Sequence, residues 1–150
     1  MRIGVVTLGL MLAFGLSGCA SEQASIASSM TQPIEDATAA VNTVRLALKL
    51  ESQDRATSPV TETSIDDMRT SAIDAVNEVS SEEADGNDAA ALRTDVLAVL
   101  RDSVDAIETA RAGMAGNDSA KSAAPAELKS VASNLRELEQ LVNDLAGGSK

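Results

Sequence analysis

Leu128-Lys129-Ser130-Val131-Ala132-Ser133-Asn134-Leu135-Arg136-Glu137-Leu138-Glu139-Gln140-Leu141-Val142-Asn143-Asp144-Leu145 is the stretch that decides the fold. Its apolar residues Leu128, Val131, Leu135, Leu138, Val142 and Leu145 recur at alternating steps of three and four, and most of the residues between them are charged or polar. That spacing lays one apolar stripe along an α-helix and fits no strand, which would need strict alternation. Gly147-Gly148 ends the pattern.

Working back along the chain, the same spacing appears three more times. Ile34, Ala37, Val41, Val44 and Leu48 form one stripe, and Ile65, Met68, Ala72, Ala75 and Val79 form another. Leu97, Leu100, Val104 and Ile107 form the third, widened by Leu92, Val96 and Val99. Turn signals fall between them. Ser58-Pro59 reads as an N-cap followed by a first-turn proline, Asp85-Gly86-Asn87-Asp88 as a turn, and Gly113 to Asp118 as a break. Helices joined by short connections pack beside their sequence neighbours in alternating directions. The expectation is an all-α fold, an antiparallel up-down-up-down four-helix bundle over 32–147. Its helices are placed at about 32–51, 59–83, 88–114 and 121–146, with 148–150 as a tail.

Composition narrows the chemistry. The chain has 150 residues, a formal charge of -11, no His, no Trp, no Tyr, one Phe and one Cys. Without His there is no usual general base, triad partner or imidazole metal ligand. No nucleophile–base pair can be assembled around Lys49, Lys121, Lys129 or Lys150, and no Gly-rich phosphate loop is present. The expectation is a protein that is not an enzyme and has no cofactor. Nucleic acid is excluded as a partner, because binding it takes a basic patch and the pI is about 4.3.

The N-terminus has a different character. Met1-Arg2 is followed by an apolar run from Ile3 to Phe14, and then by Gly15-Leu16-Ser17-Gly18-Cys19. One positive charge and about a dozen apolar residues make the layout of a secretory signal, too short for a spanning helix. Leu16-Ser17-Gly18-Cys19 closely resembles the lipobox of bacterial lipoproteins. The resemblance implies a diacylglycerol on the Cys19 thiol and cleavage just before it by a dedicated peptidase. Cys19 is the only cysteine, so it has no disulfide partner in the chain. Residues 1–18 are therefore expected to be a signal peptide. The cell membrane or outer membrane is the first partner, held through diacylglyceryl-Cys19, with the domain exposed outside the cytoplasm. Residues 19–31, rich in Ser and Ala, are read as the lipidated Cys and a flexible tether, with Pro33 marking a boundary. The competing reading is an early helix, since Ile26 and Met30 continue the spacing that follows.

The segment Ser58–Leu92 holds Glu62, Asp66, Asp67, Asp74, Glu78, Glu82, Glu83, Asp85 and Asp88 against Arg69 alone. Asp74, Glu78, Glu82 and Glu83 are its candidate partner face, set against a plainly solvated helix surface. A calcium loop aligned on Gly86 places Leu92 where a bidentate Glu is needed, so no metal site is assigned. Leu46 and Leu50, with Leu92, Val96 and Val99, either widen buried stripes or form patches that would make the chain a homo-oligomer. The functional expectation is a non-catalytic lipid-anchored envelope protein acting on an unknown envelope protein through protein–protein contacts. The alternative is a ligand-binding or sensory helical module, taking a small apolar ligand or weakly binding cations.

Overall fold

A computed structural model describes residues 18–147. Four α-helices follow in order: α1 Gly18–Glu51, α2 Ser58–Ser81, α3 Asn87–Met114 and α4 Asp118–Gly147. No strand occurs among the described residues, and the four helices pack on one another as an all-α bundle. Each helix touches its sequence neighbours, and α4 closes back on α1. Across the middle, α1 also meets α3, whereas α2 and α4 do not touch. The cross-section is thus a rhombus with α1 and α3 on its short diagonal. Close approach of two helices is easier with small side chains, and both helices bury several: Ala27, Ala37 and Ala40 in α1, and Ser103, Ala106 and Ala110 in α3.

The core has no aromatic side chain and is built around Met30, Ile34, Val41, Val44, Ile65, Val79, Leu100, Ile107, Leu128 and Leu135, with Thr61 and Ser103 the buried polar residues among those described. The fourth stripe packs as its spacing predicts, with Leu128, Val131, Leu135, Leu138 and Val142 buried and Leu145 at the edge. Leu92 and Val96 join the core, so they widen the α3 stripe, while Leu46 stays 55% exposed.

The tether over 19–31 is overturned. This segment is the start of α1, and Ala24, Ile26, Ala27 and Met30 are buried. The stripe runs without a break through Ala27, Met30, Ile34, Ala37, Val41 and Val44. Small residues hid it, since Ala carries little hydropathy contrast against Ser. Three hydroxyls of this segment fold back onto the helix itself. Ser28 Oγ donates to Ala24 O (2.9 Å), Ser29 Oγ to Ile26 O (3.0 Å) and Thr31 Oγ1 to Ala27 O (3.2 Å). Pro33 does not mark a boundary either. It lies inside α1 and is buried, and the tertiary contacts around it offset the roughly 3 kcal/mol that proline costs in a helix interior.

Two connections end in the same way. After α1, Arg55 N–H reaches Leu50 O (2.9 Å) and Asp54 N–H reaches Glu51 O (3.0 Å), with Asp54 at φ 55°. After α3, Asn117 N–H reaches Ala112 O (3.1 Å) and Gly116 N–H reaches Gly113 O (3.3 Å), with Gly116 at φ 98°. Both are Schellman motifs, which close a helix through one left-handed residue. Asn117 then caps α4, its Oδ1 accepting from Ala120 N–H (3.1 Å), which is why α4 starts at Asp118, ahead of the expected 121. The N-cap of α2 is Thr57, not Ser58, and it makes no side-chain capping bond. Ser58 is already helical and donates to Glu51 Oε1 (3.3 Å).

Candidate functional site

Gly18 and Cys19 are the first residues of α1, while Leu16 and Ser17 lie outside the described residues. The chain folds so that this start of α1 stands beside the connection between α2 and α3. Ser25, Ile26 and Ser29 of α1 line a surface cleft of about 230 Å³ together with Glu82, Glu83, Asp85 and Ala89. The other two connections, over 52–57 and 115–117, lie at the opposite end of the bundle. No described helix is long and apolar enough to cross a membrane.

The acidic segment divides into two parts with different jobs. In the part near the start of α2, Asp66 and Arg69 are paired across to α3. Asp66 Oδ1 accepts from Arg111 Nε at 2.7 Å, Arg69 pairs with Glu108, and Arg111 Nη1 lies 3.9 Å from Glu108 Oε2. Partial exposure of these side chains keeps each pair at no more than about 1 kcal/mol. The pattern was legible: Asp66/Arg69 and Glu108/Arg111 are both spaced by three, and an antiparallel hairpin brings such pairs together in reversed order.

In the other part, Asp74, Glu78 and Glu83 are exposed and Glu82 is half-buried, and none of the four enters an ion pair among the described residues. Asp74 and Glu78 lie one turn apart on α2, with Glu82 at its C-cap and Glu83 just beyond. Carboxylates there oppose the negative end of the helix dipole. Arg93 of α3 answers that charge, its guanidinium donating to Val79 O (3.0 Å) and Ser80 O. That cap bridges two helices and carries no local sequence signature, so sequence reading alone missed it. The Ser81–Leu92 stretch runs from the end of α2 into α3 with Leu92 buried, so its twelfth position points into the core rather than towards an ion. No group of three or more His, Cys, Asp or Glu suited to a metal ion occurs among the described residues.

A larger cleft of about 350 Å³ lies between α2 and α3 near the opposite end, lined by Ile65 and Met114 with Glu62, Asp66, Glu108 and Arg111 at its rim. It opens on the surface and is crossed by the ion pairs just described. No protein-family model, curated protein or solved structure matches this chain.

Proposed function

We propose that the chain is a non-catalytic, lipid-anchored protein of the bacterial envelope that works through contacts with another envelope protein. The observation that carries this reading is the leader from Met1 to Phe14 running directly into Leu16-Ser17-Gly18-Cys19, with Cys19 the sole cysteine. Acylation gives that thiol a use and supplies the several acyl chains that stable attachment takes. Support for action through contacts comes from the surface. The bundle carries exposed carboxylates at Asp74, Glu78 and Glu83 that enter no ion pair among the described residues, and the chain lacks His.

Cys19→Ala tests the anchor. The variant is expected to keep its leader and to carry no acyl mass, whereas the native protein begins at an acylated Cys19. Intact-mass measurement on membrane-extracted protein reads both. Native material that begins elsewhere, or carries an unmodified Cys19, overturns the proposal.

A further inference from the structure

The distance along the chain between the anchor and the core fixes how far the bundle can stand from a bilayer. Ala24 is already buried, and Ile26 and Ala27 follow it into the core. The roughly five residues from Cys19 to Ala24 span about 8 Å as helix and no more than about 17 Å fully extended. A free tether over 19–31 would reach about 40 Å. The end of the bundle so held is the one where Ser25, Ile26 and Ser29 meet Glu82, Glu83 and Asp85. Arg93, the base nearest that connection in sequence, is committed to the carbonyls that end α2.

We infer that the acidic α2–α3 end of the bundle is held at the bilayer surface by a leash of a few residues, so that Glu82, Glu83 and Asp85 face the lipid headgroup zone. This rests on the acylation of Cys19 proposed above. At about 8–10 Å the Debye length is comparable to the leash, so these carboxylates and the headgroups sense each other's charge. A basic partner for this end must therefore meet it at the membrane surface, whereas the connections over 52–57 and 115–117 stand away from the anchor. α1 from its first residue to Glu51 is about 50 Å long.

The test uses the full chain expressed with its leader, extracted from membranes and reconstituted into phosphatidylcholine vesicles containing an acceptor dye on lipid. A donor dye is placed on Glu83→Cys, the only free thiol once Cys19 is acylated. Energy transfer is expected to be strong, and to fall at least about two-fold when a flexible insert of about twelve Gly/Ser residues is placed between Cys19 and Ala20. Weak transfer, or transfer unchanged by the insert, in protein whose mass shows acylation overturns the short leash while leaving the anchor standing. A mass showing unmodified Cys19 overturns the anchor, and the leash with it.

Discussion

Asp54 and Gly116 occupy equivalent places, each the left-handed residue that closes a helix, yet only one of them is glycine. A side chain in that conformation is strained, and Asp tolerates it better than most because its carboxylate can bond locally. Asp54→Gly is therefore expected to raise stability by about 0.5–1 kcal/mol, read as a shift in the denaturation midpoint. Gly113 illustrates the opposite constraint. Its φ is ordinary, but a Cβ there would lie 2.7 Å from Lys121 Cα and 2.8 Å from Lys121 N, both backbone atoms of α4. Neither can swing aside, so α3 and α4 must separate. Gly113→Ala should cost about 1–3 kcal/mol in the same assay. A neutral result would mean that the turn, rather than helix contact, sets the spacing between α3 and α4. Sequence reading took Gly113 only as part of a break, because close approach of a distant backbone leaves no trace in local composition.

Among the elements, α4 was the most legible and α1 the least. The α4 stripe uses Leu and Val, so its contrast with Arg136, Glu137 and Gln140 is large, and its buried set follows the spacing directly. Leu135→Ala is expected to cost about 2–5 kcal/mol, against roughly 0.5 kcal/mol or less for exposed Glu137→Ala. Equal effects on the melting temperature would contradict the burial of this stripe. In the sequence the start of α1 looks like a tether because Ser and Ala dominate it and Pro33 follows it. Burial of Ile26 and Met30 depends on where α2, α3 and α4 lie, which is tertiary information. Ile26 is 6% and Met30 0% exposed. Each buried side chain of this size is worth about 1.5–3 kcal/mol, a large part of a domain stability of about 5–15 kcal/mol. A chain starting at 32 should accordingly melt far below one starting at 20, or fail to fold. If the two melted together in circular dichroism, the first turns of α1 would be dispensable and the flexible-tether reading would return.

Over the whole molecule, the placement of charge separates folding from partnership. On and beside α2, three arginines are spent on structure. Arg69 and Arg111 tie it to α3, and Arg93 closes its C-terminus. What remains towards the α2–α3 connection is a run of like charges at Asp74, Glu78, Glu82 and Glu83 with no ion-pair partner among the described residues. Repulsion between neighbours one turn apart mildly weakens the helix. Changing all four to Asn or Gln should therefore leave helicity intact and hold or slightly raise the melting temperature. Association behaves differently, since a one-signed face accelerates encounter with a basic partner, and salt screens the effect over about 10 Å near 0.1 M. If a partner docks on this face, the neutralised protein will associate more slowly and lose most of its salt dependence. If the face is only solvated, capture from membranes will be the same for both proteins at every salt concentration. Unfolding on neutralisation would contradict both outcomes, because it would require these carboxylates to hold the bundle together, whereas three of the four are exposed and none enters an ion pair among the described residues.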